Sequence, residues 1–119
     1  MKNKFEKYLK SVVDKYIPIL FLERYTFEFK DKCENPNSIM ECRFNYPYLN
    51  ATLHYSEKAV KDWETGKDIT PYIVHEMCHI ITDPFYAKAT SRYVGVEEIR
   101  DERELLTDYI CNIVIKNKL

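Results

Sequence analysis

The chain has 119 residues, of which 45% are hydrophobic and 31% are charged, and its net charge is −1. This length and composition exclude a disordered chain and predict one folded domain, residues 1–119, with a modest core. The balanced charge gives no support for binding to nucleic acid or to an anionic membrane surface, so neither partner is expected.

The expected location of the protein is cytoplasmic. The segment MKNKFEKYLKSVV contains charged residues throughout and lacks the apolar core of a signal peptide. No apolar run approaches the ~18–20 residues that a membrane-spanning helix needs. The four cysteines are then expected to be reduced. A disulfide between Cys33 and Cys42 is the alternative in an oxidising compartment.

The N-terminal half predicts one helix and three strands. Apolar residues at three- and four-residue steps predict an amphipathic helix that stops near Pro18: Phe5, Tyr8, Leu9, Val12, Val13, Tyr16 and Ile17. Three segments then alternate apolar and polar residues, with turn residues between them: RYTFEFK, IMECRFNY and ATLHYS. We expect these segments to form a three-stranded antiparallel sheet.

The C-terminal half predicts helices. EKAVKDWETGK reads as a short helix ending at Gly66. Thr70 and Pro71 are an N-cap and first-turn signature for the helix ITPYIVHEMCHIITDP, and Asp83-Pro84 is a predicted end for it. FYAKATSRYVG is expected to be a connecting loop before a long final helix, VEEIRDERELLTDYICNIVIKN. The element order indicates an α+β domain.

The segment HEMCH places two of the three histidines four residues apart with a glutamate between them. At about 100° per residue, His79 lies about 40° from His75, and Glu76 about 100° from it. Apolar residues fall on the opposite side of the helix: Ile73, Val74, Met77, Ile80 and Ile81. Histidines one turn apart can bind a single Zn²⁺, and the glutamate can act as a base toward zinc-bound water. The alternative is a buried helix in which the HExxH residues occur by chance and bind no metal.

A catalytic zinc needs a third protein ligand, and no histidine follows the motif. The final helix offers a stripe of acids within about 60° of one another: Glu97, Asp101, Glu104 and Asp108. Any of these carboxylates could complete a metal site. A solvated acidic face is the other interpretation of this stripe.

HEMCH followed by RELLTD resembles the gluzincin metallopeptidases, the thermolysin-like group of zincins, in a minimal single-domain form found in bacteria and phages. The resemblance implies a zincin-like domain with an HExxH helix and a C-terminal glutamate helix. It implies that His75, His79 and Glu104 bind Zn²⁺ and that Asp108 orients His75. Arg103 stands where the family pattern has asparagine, and Asp101 or Glu97 is the fallback third ligand.

The same resemblance implies a zinc metallopeptidase that cleaves a peptide or protein bound in extended conformation. Glu76 would be the general base for the zinc-bound water, and Tyr93 the donor to the tetrahedral oxygen, with Tyr86 as second choice. The third strand, ATLHYS, would pair with the substrate backbone. His54 in that strand is expected to be solvated.

Two other functions use the same residues. One is a catalytically silent zinc-binding or metal-free module with a regulatory or interaction role. Glu76 distinguishes this silent module from the peptidase, because a structural zinc site has no use for a general base. The other is a zinc hydrolase acting on a non-peptide amide. The sequence predicts neither the substrate nor the oligomeric state.

Overall fold

The protein is described here by a computed structural model that covers residues 2–45, 48–90 and 96–117. Within these ranges the chain forms four helices and three strands: α1 (Lys2–Ile19), β1 (Thr26–Lys30), β2 (Met40–Asn45), β3 (Asn50–Tyr55), α2 (Glu57–Glu64), α3 (Thr70–Thr90) and α4 (Val96–Lys116). The predicted α+β class is confirmed. None of the helices in the described part is both long and apolar enough to cross a membrane.

The sheet is mixed, so the prediction of three antiparallel strands is wrong. Its strand order is β1-β3-β2: β3 lies in the centre, parallel to β1 and antiparallel to β2. Only residues 46–49 separate β2 from β3 along the chain, a connection length that suits an antiparallel pair. Between β1 and β3 the chain has residues 31–49, which is enough for a crossover to the far edge and a return. Alternation within a strand specifies its buried face but not its neighbour.

Two helix ends differ from the predictions. The structure places Thr70 inside α3 as its first residue, and the Oδ1 of Asp68 accepts a hydrogen bond from its N–H at 3.0 Å. At the other end, α3 continues through Pro84 to Thr90. A proline removes one backbone donor from a helix, but α3 packs against both α4 and β2. The free energy of this tertiary packing offsets the lost hydrogen bond.

The core lies where α1, the central strand β3 and the back of α3 meet. Its largest fully buried side chains include Phe5 and Leu9 from α1, Leu53 and Tyr55 from β3, and Met77 from α3. Burial of such side chains contributes about 1.5–3 kcal/mol each. The core therefore fixes the rotation of α3 about its axis, and with it the direction of the motif side chains.

His54 is buried in β3, so the expectation that it is solvated is wrong. Its Nδ1–H donates to the carbonyl of Lys32 at 2.9 Å. This carbonyl belongs to the crossover loop, residues 31–39, which joins β1 to β2. Cys33 lies in the same loop, and its Sγ contacts the carbonyl of His54 at 3.6 Å. The buried imidazole therefore holds the crossover loop against the sheet.

A carboxylate on β2 holds the next part of the crossover loop. Glu41 accepts hydrogen bonds from the backbone N–H groups of Glu34 at 2.7 Å and Asn35 at 3.2 Å. Burial favours a higher pKa for Glu41, but these two N–H groups and the Arg43 guanidinium outweigh it and lower the pKa. The ionised form of Glu41 therefore stabilises the loop.

We predict that Glu41→Gln lowers the free energy of unfolding at pH 7 by about 1–3 kcal/mol, because two charge-assisted hydrogen bonds are weakened. Since the folded pKa is below the unfolded one, this contribution is present above the unfolded pKa of about 4.3 and is lost as pH falls through the folded pKa. Urea unfolding at several pH values measures both effects. Glu34→Gln, at an exposed position, is the control. Equal losses in the two variants would contradict the prediction.

Candidate metal centre

Helix α3 presents the two motif histidines on the side away from the core. Its apolar residues Ile73, Val74, Met77 and Ile80 are buried, as predicted. Ile81 is 42% exposed, so its predicted place in the core is wrong. His75 is partly exposed and His79 is nearly buried. The helix therefore carries both imidazoles at the margin between the core and solvent.

Helix α4 packs against α3 through small polar contacts that fix its position along the axis. The hydroxyl groups of Thr82 and Thr107 lie 2.8 Å apart in a buried pair. Thr107 donates to the carbonyl of Arg103 at 2.8 Å, so Thr82 is the donor within the pair. Near the start of α3, the Sγ of Cys111 contacts the carbonyl of Pro71 at 3.6 Å. These contacts place Glu104 opposite the histidines.

Three potential ligand atoms converge on one point. The Nε2 atoms of His75 and His79 are 3.1 Å apart, and the Oε2 of Glu104 lies 3.4 Å and 3.6 Å from them. A tetrahedral metal with bonds of about 2.0–2.1 Å separates its ligand atoms by about 3.4 Å. The three distances, 3.1, 3.4 and 3.6 Å, are close to this value. The three atoms are therefore spaced so that they could hold one ion.

Carboxylates set the tautomer of both imidazoles. The Nδ1 of His75 lies 2.9 Å from the Oδ1 of Asp108, and the Nδ1 of His79 lies 2.9 Å from the Oδ1 of Asp83. An ionised carboxylate only accepts hydrogen bonds, so each Nδ1 carries the proton. In the neutral imidazoles both Nε2 atoms then present lone pairs to each other and to Glu104. Such an arrangement is suited to binding a cation.

The charges around His79 also raise its pKa. Burial alone lowers the pKa, but the hydrogen bond and charge of Asp83, with the charges of Glu76 and Glu104, outweigh it. The surroundings of His79 therefore favour positive charge, whether that charge is a proton or a metal ion.

Glu76 lines the same cavity as the three ligand atoms. Burial raises its pKa to about 7, helped by the charge of Glu104, while His79 and a hydrogen bond from the backbone N–H of Cys42 act in the opposite direction. A carboxyl group of this kind can accept and release a proton near neutral pH.

Arg103 connects the surroundings of two candidate ligands. Its guanidinium lies 3.5 Å from the Oδ1 of Asp83 and 3.3 Å from the Oε1 of Glu104. It also stacks on the ring of Tyr86 at 4.0 Å. Within the described part of the chain, the buried Nε of Arg103 has no hydrogen-bond partner. Sequence reasoning missed this role, although the i,i+4 spacing of His79 and Asp83 could have indicated the carboxylate that Arg103 contacts.

Two cavities lie beside the ligand atoms along β2. One, of about 410 Å³, is lined by charged residues that include Glu41, Arg43 and Asp83. The other, of about 510 Å³, is lined mainly by uncharged residues such as Ser38, Met40 and Tyr72. His75 and Glu76 line both. The two cavities together form a cleft between β2 and α3 that extends to either side of the candidate metal site.

The strand beside this cleft is β2, whereas the prediction assigned substrate pairing to the third strand. β3 is central, and β1 and β2 occupy both of its edges. β2 lies at an edge, and the N–H of Cys42 points away from β3 toward Glu76. β2 is therefore the edge strand beside the cleft, and an edge strand is where a peptide can add to a sheet.

The other predicted site residues are not brought to the ligand atoms. Asp101 has an 80% exposed side chain and Glu97 is exposed. Tyr86 lies under Arg103 and lines a separate cavity with Phe44. Tyr93 lies outside the described residues. Glu104 is thus the acid of the predicted stripe that reaches both histidines.

The four cysteines are free thiols, and burial raises the pKa of each one. In Cys78, on the flank of α3, burial raises the pKa to about 12. Thiols that resist ionisation are poor metal ligands and poor nucleophiles. The candidate metal site therefore uses imidazole and carboxylate groups alone.

Comparison of the chain with protein-family models, with curated proteins and with solved structures finds no match.

We predict that Asp83→Ala weakens zinc binding by about 10- to 100-fold, because His79 loses the acceptor that fixes its tautomer. Competition with a chromophoric chelator measures the affinity. Asp101→Ala, which removes an exposed acid of the neighbouring helix, is the control and should bind zinc like the unaltered chain. Unchanged affinity in Asp83→Ala would show that this carboxylate does not support the site.

Proposed function

We propose that this chain is a gluzincin-type zinc metallopeptidase of minimal size that acts in the cytoplasm on extended peptide or protein substrates. The observation that carries the proposal is the convergence of the Nε2 atoms of His75 and His79 with the Oε2 of Glu104. Two imidazoles and one carboxylate are a donor set that zinc accepts, and three protein ligands leave a fourth position open. Bound zinc supplies Lewis acidity and lowers the pKa of water toward ~7.

The proposed base is Glu76. Its carboxylate lies in the same cavity as the ligand atoms, and burial keeps it away from bulk water. A carboxylate oxygen of Glu76 accepts the proton of the attacking water and later delivers it to the leaving amine. The N–H of Cys42 holds this carboxylate in place. A structural zinc site needs no such group, so Glu76 favours the enzyme over a silent zinc-binding module.

The proposed substrate is an extended peptide that lies in the cleft along β2. An edge strand can bind a peptide through its free backbone groups, as a further strand of the sheet. The cleft continues on both sides of the ligand atoms, so residues before and after the cleaved bond have room. An elongated cleft of this kind supports a peptide over a compact non-peptide amide.

We predict that Glu76→Gln retains one zinc per chain and loses hydrolysis by at least about 10²-fold, because the amide cannot accept the proton. Metal content is measured by mass spectrometry. Hydrolysis is measured on denatured casein and on a mixed peptide library.

Glu64→Gln on α2 is the matched control, since it makes the same change at an exposed position. It should keep both zinc and activity. Undiminished cleavage by purified Glu76→Gln would reject the base assignment. Zinc binding without cleavage in the unaltered protein would support the silent module instead.

We also predict that Glu104→Ala loses zinc at concentrations where the unaltered chain is saturated, because two imidazoles alone bind it weakly. Glu97→Ala and Asp101→Ala should retain the metal, since both acids are exposed and away from the histidines. Titration with zinc under chelator competition separates the variants. If Glu104→Ala retains zinc and either Glu97→Ala or Asp101→Ala loses it, the acid removed in that variant is the third ligand instead.

A further inference from the structure

The outer face of α4 carries large apolar side chains that are exposed in the described part of the chain. Leu105, Leu106, Tyr109 and Ile113 are 49%, 44%, 61% and 58% exposed. The buried side of α4 is instead formed by Thr107, Cys111 and Val114. Since α4 packs mainly against α3, its opposite face is open.

Three of these exposed residues, Leu106, Tyr109 and Ile113, belong to a regular row, and Leu105 flanks it. Ile99, Glu102, Leu106, Tyr109, Ile113 and Lys116 follow one another at steps of three and four residues. We call these six residues the α4 seam. Alternating steps of three and four residues approximate the 3.5-residue repeat of two helices that wind around each other. At about 100° per residue, the α4 seam lies on the side of the helix opposite Thr107 and Cys111.

The α4 seam can pack against a second copy of itself when the two run antiparallel. With a twofold axis between positions 106 and 109, Leu106 meets Tyr109 of the second copy and Glu102 meets its Ile113. Lys116 then meets Ile99 of the second copy. A twofold axis uses the same surface on both copies, which is the commonest arrangement in homodimers.

Charge distinguishes the antiparallel from the parallel arrangement. The N-terminal end of this face carries Glu98 and Glu102, both exposed, and its C-terminal end carries Lys116. An antiparallel pair places Lys116 beside the two glutamates of the second copy at each end. A parallel pair would place glutamate beside glutamate, which is unfavourable.

We propose that the chain forms a homodimer in which the α4 seams of two copies pack antiparallel. Phe85 of α3 is 69% exposed and lines a groove of about 510 Å³ with Ile99 and Leu106, which extends the apolar surface beyond α4. Glu104 and Asp108 point to the other side of α4, toward His75. The dimer therefore leaves the cleft open, and it does not depend on the proposed function.

Sedimentation velocity over a range of protein concentrations tests the dimer. The unaltered chain should shift from monomer to dimer as its concentration rises. Tyr109→Glu should raise the dimer Kd by roughly thirtyfold or more, the effect of losing a central aromatic contact. Tyr48→Glu, the same change at a 76% exposed position outside the α4 seam, should leave the Kd unchanged. Circular dichroism and zinc binding check that both variants are folded.

Charge reversal tests the orientation. Lys116→Glu alone should weaken the dimer, and so should Glu98→Lys combined with Glu102→Lys. A chain carrying all three changes should recover association, because the attraction is restored with opposite signs. A monomer at every concentration would overturn the proposal and leave this face to a different partner. A dimer that neither Tyr109→Glu nor the charge reversals weaken would also overturn it.

Discussion

The candidate site depends on one constraint: two imidazole nitrogens and a carboxylate oxygen are held 3.1–3.6 Å from one another, at a point that attracts a cation. The Nδ1 atoms of His75 and His79 are already committed to carboxylates, so in the neutral imidazoles the Nε2 atoms present lone pairs to each other and to Glu104. Lone pairs held this close repel one another. A cation among them, either a proton on His79 or a metal ion, turns this repulsion into attraction, so the group could hold a metal.

The packing of α4 on α3 is what makes this constraint possible. Two histidines one turn apart follow from α3 alone, but the third atom comes from a helix whose position depends on tertiary contacts. The buried hydroxyl pair of Thr82 and Thr107 fixes that position close to Glu104. Because Thr107 also donates to the carbonyl of Arg103, the backbone beside Glu104 is held by the same hydrogen-bond chain. The site is therefore as rigid as the interface between the two helices.

Local sequence patterns predicted the helices and strands well. The wrong predictions concern features that depend on contacts between segments distant in the sequence. Helix and strand positions follow from periodicity that each segment carries itself. The parallel pairing of β1 with β3 depends on a crossover that no single strand encodes. The alternation of apolar and polar residues in the third strand predicts that His54 faces solvent, but His54 is buried because the crossover loop covers it. Within the site, His75 and His79 were predictable from spacing, whereas Arg103 acts through contacts with Asp83 and Tyr86 that belong to another helix.

Arg103 also bears on how the site differs from the family pattern that HEMCH and RELLTD resemble. A short asparagine at this position could not reach both Asp83 and Glu104, whereas the guanidinium contacts both carboxylates. The positive charge offsets two negative charges close to the ligand atoms, so it moderates the electron donation that those carboxylates supply to the site. The guanidinium also stacks on the ring of Tyr86. The arginine at this position, where the pattern that the two segments resemble has asparagine, therefore links the charge balance around the ligand atoms to the packing of a tyrosine on α3.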